Sequence, residues 1–159
     1  MDNYDILKIE NQLCFPLYAS AKEVVRKYKP FLDPLGLTYT QYIAMMVLWE
    51  YGQMNVKELG QRLYLDSGTL TPLLKKLEQK GLVSRNRSDQ DERTLDVAPT
   101  EKGMQLRETA LAVPAAMGGC ITLTQEEMTT LYSLLYKILG KEKPISIFVT
   151  QNPAGKETV

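Results

Sequence analysis

Few residue types in this chain can do chemistry. Histidine is absent from the 159 residues, which removes Ser-His-Asp and Cys-His catalysis together with imidazole metal sites. The two cysteines, Cys14 and Cys120, are far apart and form no Cys-x-x-Cys pair. A zinc cage is therefore not expected, nor is any other metal or cofactor. What remains is thiol chemistry. Two distant thiols in a reducing compartment are by default small buried hydrophobes. Cys14 has a second reading, because it lies two residues before Pro16, at the start of a long amphipathic segment. A thiol there feels the positive end of a helix dipole, which favours the thiolate. A thiolate is the species that peroxides oxidise, giving a sulfenic acid.

The elements that must position such a thiol follow from periodicity. Leu13, Leu17, Ala21, Val24, Val25, Tyr28, Phe31 and Leu32 recur at three- and four-residue steps, which predicts a first helix. Pro16 marks its first turn, and Pro30 and Pro34 close it toward Gly36. Thr38 or Thr40 caps a second, buried helix that ends at Gly52. Asn55 caps a short third helix, and Asp66 or Ser67 opens a fourth that Gly81 stops. Pro72 admits a later start for this fourth helix, with Thr71 as cap, although Leu70 already fits the apolar stripe. Leu82–Arg85 and Thr94–Val97 read as two strands of a hairpin with a long hydrophilic tip. Thr100 caps a fifth helix, Gly118 and Gly119 interrupt it, and Thr124 caps a last one built on Met128, Leu131, Leu134, Leu135, Ile138 and Leu139.

The predicted fold is mainly α, of α+β type: a winged helix-turn-helix at 38–99 with an all-helical region at 5–33 and 100–140, whose long first and last helices carry apolar faces the winged unit does not need. Residues 1–140 are read as a single domain, and 141–159 as a weakly ordered tail. With 44% hydrophobic residues, the chain can bury a real core. It has no apolar run long enough to cross a bilayer, and its start is acidic and polar, which points to the cytoplasm.

Formal net charge is zero, so a case for nucleic acid must come from local placement. From Lys57 to Arg87, seven basic residues (Lys57, Arg62, Lys75, Lys76, Lys80, Arg85, Arg87) face three acidic ones (Glu58, Asp66, Glu78), a net of +4. The fourth helix is the candidate for a DNA major groove about 12 Å wide. Ser67, Thr69 and Thr71 offer short hydroxyls in its first turns, and Gly68 permits close backbone approach. Lys75 and Lys76 can neutralise phosphates, as can Arg85 and Arg87 of the hairpin. Any single lysine is more often a solvated helix face; the bias gains weight by falling where the helix order independently places the reader.

The stretch from Asp66 to Gly103 resembles the MarR family of bacterial regulators. Asp91-Glu92-Arg93 sits where that family carries an Asp-x-Arg wing, and Val97 to Gly103 is similar to its Leu-x-x-Thr-x-x-Gly motif. The Thr-Leu-Thr-Pro-Leu-Leu-Lys-Lys-Leu-Glu run from Thr69 to Glu78 is similar to the organic-hydroperoxide-sensing, OhrR-like branch. The resemblance covers roughly residues 5 to 140 and implies a transcriptional repressor rather than an enzyme. It implies a homodimer whose first, fifth and sixth helices interlock. Two recognition helices about 34 Å apart would then read a pseudo-palindromic duplex operator. It also implies that Arg93 enters the minor groove with Asp91 bracing its guanidinium, where negative potential is enhanced.

For the thiol, the resemblance implies that Cys14 is the redox sensor and organic hydroperoxide the signal. Phenols of the partner subunit would hydrogen-bond the thiolate: Tyr28 and Tyr39 match two such positions and Tyr18 a third. Cys120 is then a candidate resolving thiol that closes an intersubunit disulfide, or a bystander while a small cellular thiol caps Cys14. Two further readings stand beside this one. One is a repressor of the same fold released by a small aromatic or phenolic ligand. The other is a thiol peroxidase in which Cys14 turns over.

Overall fold

A computed structural model of the chain describes residues 4–88 and 94–141. Its described residues fall into two compact units that divide after Val113. The architecture is mainly helical with a small antiparallel sheet. The elements run α1 (Cys14–Leu32), α2 (Tyr39–Tyr51), β1 (Met54–Asn55), α3 (Val56–Leu63), α4 (Ser67–Gln79), β2 (Val83–Arg87), β3 (Leu95–Pro99), α5 (Glu101–Ala110), α6 (Ala112–Gly118) and α7 (Gln125–Ile138). Residues 5–11, included in the helical region expected at 5–33, form two 3-10 turns before α1, which starts at Cys14 as expected. Pro30, expected to close α1, lies inside it. Within one turn of the helix end it removes a single hydrogen bond, and the chain is stopped by the 3-10 turn Asp33–Leu35 and left-handed Gly36, φ 64°.

Side-chain caps define most starts. Thr38 and Gln41 form a reciprocal capping box on α2, and Asn55 Oδ1 accepts the Lys57 amide at 2.8 Å. Asp66, not Ser67 or Thr71, caps α4: its Oδ1 accepts the Thr69 amide at 2.8 Å. The helix therefore starts early and carries Pro72 inside. The ring denies one donor to the Gly68 carbonyl, but Leu70, Leu73, Leu74 and Leu77 are all buried on the opposite face. At about 2 kcal/mol for a buried leucine, that stripe outweighs one missing bond.

The sheet order is β1-β3-β2, antiparallel throughout. Val83 lies opposite Pro99 and Arg87 opposite Leu95, so the strands run further toward the tip and toward α5 than the sequence pattern indicates. β1 was not expected. Its two residues, Met54 and Asn55, pair with Val97 and Asp96, and two residues show no alternation for a pattern to detect. The helix expected from Thr100 to Gly118 is also broken, at Leu111. Pro114 has no N–H for the Ala110 carbonyl, and α5 ends at Ala110. The last helix is consequently the seventh.

The core of the first unit gathers Tyr42, Met45 and Leu48 of α2, Leu59 of α3, Leu70, Leu74 and Leu77 of α4, Val83 and Val97 of the sheet, and Ala110 of α5. Gly103 is the closest approach. A Cβ there would stand 2.1 Å from the Leu82 carbonyl oxygen, while its own carbonyl accepts Trp49 Nε1 at 2.8 Å. Thr100 adds two ties, its amide to Leu82 and its hydroxyl to Gly81. This is the physical content of the Val97–Gly103 motif: a core valine, a helix cap, and a glycine that lets α5 lie on the strand start.

Candidate DNA interface and thiol site

The turn ahead of α4 is set by two residues the sequence pattern passed over. α3 closes on Tyr64, a non-glycine residue in the left-handed region at φ 55°, and the Leu65 amide returns to the Gly60 carbonyl at 2.9 Å. A Cβ on Gly60 would stand 2.9 Å from the Leu65 carbonyl oxygen. A glycine inside an amphipathic helix was the signal available for this close approach. The Thr69 hydroxyl donates to Asp66 at 3.2 Å. Hydrogen bonds from Thr69, chiefly its backbone amide, hold the Asp66 carboxyl below the usual carboxylate range.

Across α4 from its buried leucines, Ser67, Gly68, Thr69, Thr71, Lys75 and Lys76 are all exposed. One helix thus has an anchored face and a solvated face of short hydroxyls and ammoniums. Arg87 is likewise exposed near the end of β2, where the Ser88 amide reaches the Thr94 carbonyl at 3.0 Å. Arg85 differs from the other candidates. Its Nε and Nη2 both donate to Glu78 Oε2, at 3.0 and 2.6 Å, so it ties β2 to α4 instead of presenting its guanidinium outward. Asp91 and Arg93 lie outside the described residues, as does the segment from 142 onward.

Cys14 is the first residue of α1, and Leu13 before it makes no side-chain cap. Its thiol is exposed and has no hydrogen-bond partner among the described residues. Tyr18 is exposed one turn later, with Lys22 Nζ 5.2 Å above its ring. Tyr28 and Tyr39 are brought together, ring centroids 4.8 Å apart. Tyr42, which the sequence reading did not single out, extends the cluster at 6.0 Å from Tyr28, and Trp49 stands edge-on to Tyr42. Burial, then the neighbouring Tyr39 and Tyr42, pushes the Tyr28 hydroxyl up to about 12; burial also raises Tyr39 and Tyr42. These phenols stay protonated, hence hydrogen-bond donors, across the neutral range. Cys120 follows α6, half-buried, with its thiol donating to the Ala116 carbonyl at 3.6 Å. Among the described residues no cluster of His, Cys, Asp or Glu could hold a metal, and no helix is long and apolar enough to cross a membrane.

A family model described as transcriptional regulator SarA/Rot matches residues 26–109. The chain is also 49% identical over 140 residues to the organic hydroperoxide resistance transcriptional regulator of Bacillus subtilis, covering 87% of this chain and 95% of that protein. The chain belongs to the MarR/SarA-type winged-helix regulators. Solved structures agree with this assignment. AbfR of Staphylococcus epidermidis, in its reduced form bound to DNA, is 36% identical with a TM-score of 0.69, over 84% of this chain and 93% of that one. The same protein has been solved overoxidized on DNA, with a TM-score of 0.69, and disulfide-formed, with a TM-score of 0.58. A mutant MarR from E. coli complexed with operator DNA is 26% identical with a TM-score of 0.76, over 87% of this chain and 99% of that one. The regulator's relatives act on transcription.

Proposed function

We propose that this regulator is a homodimeric, redox-switched repressor, which binds a pseudo-palindromic operator and leaves it when an organic hydroperoxide oxidises Cys14. The observation that carries the reading is the thiol itself, exposed at the uncapped start of α1 in a chain half identical to a hydroperoxide resistance regulator. The chemistry balances without further reagents. The Cys14 thiolate attacks the peroxide, an S–O bond forms as the O–O bond breaks, and sulfur loses two electrons to give the sulfenic acid. The alkoxide leaves and takes up a proton as the alcohol. A second thiol, the partner subunit's Cys120 or a small cellular thiol, then condenses with the sulfenic acid to give a disulfide and water.

Partner phenols at Tyr28 and Tyr39, with Tyr18, would hold the thiolate, and their raised hydroxyls suit a donor role. Dimerisation is supported by apolar residues left outside: Leu13 and Phe15 near Cys14, and Leu131, Leu134 and Ile138 on α7 are exposed. On DNA, Ser67, Gly68, Thr69 and Thr71 would meet the groove, Lys75, Lys76 and Arg87 the phosphates, and the wing residues Asp91 and Arg93 the minor groove.

The test measures affinity for a duplex selected from a random pool by the reduced wild type, before and after one equivalent of cumene hydroperoxide. Wild type loses at least tenfold, Cys14→Ser keeps its affinity, and Cys120→Ser still responds but forms no intersubunit disulfide. A Cys14→Ser protein that leaves DNA on peroxide addition ends the redox reading. One observation favours a second reading, release by a small aromatic or phenolic ligand. An open cavity of about 480 Å³ has an apolar floor of Leu35, Leu82 and Leu106 rimmed by Lys80 and Lys102, within the size range of ligand sites.

A further inference from the structure

Lys80 follows α4 directly as its C-cap, and both of its ammonium bonds run inward. One goes to the Gly36 carbonyl and the other to Gln41 Oε1, at 2.8 Å. Gly36 ends the turn that joins α1 to α2. Gln41 belongs to the α2 capping box, where its Oε1 also accepts the Thr38 amide at 3.2 Å. The Lys80 carbonyl in turn accepts Lys102 Nζ of α5 at 2.7 Å. One side chain therefore pins the end of the recognition helix to the α1–α2 corner.

The position of the acceptor matters. Tyr39, whose ring packs at a tilt against Tyr28, is the first residue of α2, and Gln41 is two residues further on in the same helical turn. The Gln41 side chain is only 3% exposed, so its carbonyl cannot exchange Lys80 for bulk water without cost. The apolar contacts of α4 are non-directional and tolerate small slides; a charge-assisted hydrogen bond does not. A lysine serving a DNA phosphate would turn its ammonium outward, and this one turns both bonds to the protein.

We propose that Lys80, acting through Gln41, is the positioning residue that passes the state of the Tyr28–Tyr39 pair to the recognition helix. This rests on the redox reading above for its signal, but the mechanical link is separable from it. A displaced Tyr39 carries Gln41 with it, Gln41 draws Lys80, and the end of α4 shifts relative to its partner copy.

Two measurements on the full chain decide it. The first compares operator affinity, reduced and peroxide-treated, for wild type, Lys80→Met and Lys80→Arg. Met keeps the stem without the donors and Arg restores them. The link predicts reduced affinity within threefold of wild type in both. It further predicts that the loss of affinity on oxidation is at least tenfold smaller in Lys80→Met, and that Lys80→Arg recovers the wild-type loss. An unchanged loss on oxidation in Lys80→Met, or binding weakened equally in both redox states, overturns it. If wild type itself ignores peroxide, the redox reading has failed, and the second measurement decides the link alone. That measurement is amide exchange at residues 80–82 in Tyr39→Leu, Lys80→Met and the double variant. Faster exchange in Tyr39→Leu, with the double variant matching Lys80→Met, supports the link. Additive effects or an unaltered rate in Tyr39→Leu refute it.

Discussion

From α2 to α5, apolar side chains are enclosed by one another: Ala44, Met45, Leu48, Leu59, Leu77 and Val97 show no exposed surface. In α7 the same residue types lie open, with Leu134 52% and Ile138 63% exposed and no residue of the helix buried. The stretch before α1 matches α7 in this, with Ile6, Leu7 and Leu13 each 73% exposed. Both carry helical or turn structure, α7 with a capping box at Thr124 and the stretch before α1 with no side-chain cap. They differ in what covers them, so the lobe is specified by its own contacts and the terminal segments ask for a second surface.

The largest expected effect tests the self-sufficiency of the lobe. Gly103→Ala drives a Cβ into the Leu82 carbonyl, a backbone atom that cannot turn aside, and should cost about 3 kcal/mol or more in urea unfolding. Gly118→Ala is the matched control from the other region, since a Cβ there meets nothing within 4 Å. Its effect should stay within about 1 kcal/mol and lean toward stabilisation through lost chain entropy. Equal costs at the two positions would mean that the lobe's close packing is not what sets its stability.

The next effect tests the ends. Leu134→Ser with Ile138→Ser removes two apolar side chains from an outward face and should leave the lobe folded, as read by the near-ultraviolet signal of Trp49. If a second copy covers α7, losing about 3 kcal/mol of burial raises the dimer dissociation constant about a hundredfold, which sedimentation measures directly. A wild-type chain that sediments as a monomer at micromolar concentration removes the partner-seeking role.

The same division explains what could be read from sequence. Caps at Thr38, Asn55, Asp66, Thr100 and Thr124 were legible because a cap is a contract between neighbours, and all five accept the expected backbone amide. The break at Leu111 was hidden although Pro114 stood in view, because the helical pattern runs on across it. β1 was too short to alternate, and its pairing with Val97 and Asp96 spans some forty residues. Thiol and phenol candidates could be named from type and position, but the Tyr28–Tyr39–Tyr42 cluster forms only when α1 folds back on α2. Arg85 was counted with the DNA contacts because nothing local reveals that Glu78 occupies it.

That last residue gives the smallest and sharpest test. The Arg85 guanidinium hydrogen-bonds Glu78 and holds its carboxyl below the ordinary glutamate range. A depressed carboxyl contributes stability that is fully present above the ordinary value, about 4.3, and is lost as pH falls through the lower folded value. The group is open to solvent, so salt weakens the effect. In Arg85→Met, the Glu78 titration followed by NMR should move up toward the ordinary value. DNA binding should also separate brace from contact. Arg85→Met lets β2 shift against α4 and should weaken binding a few-fold at every salt concentration. Lys75→Ala or Lys76→Ala should instead lower the slope of log affinity against log salt by about 0.9 each, the signature of one lost phosphate contact. An Arg85→Met protein whose slope drops by that amount returns Arg85 to the DNA interface and makes its bond to Glu78 a feature of the unbound state.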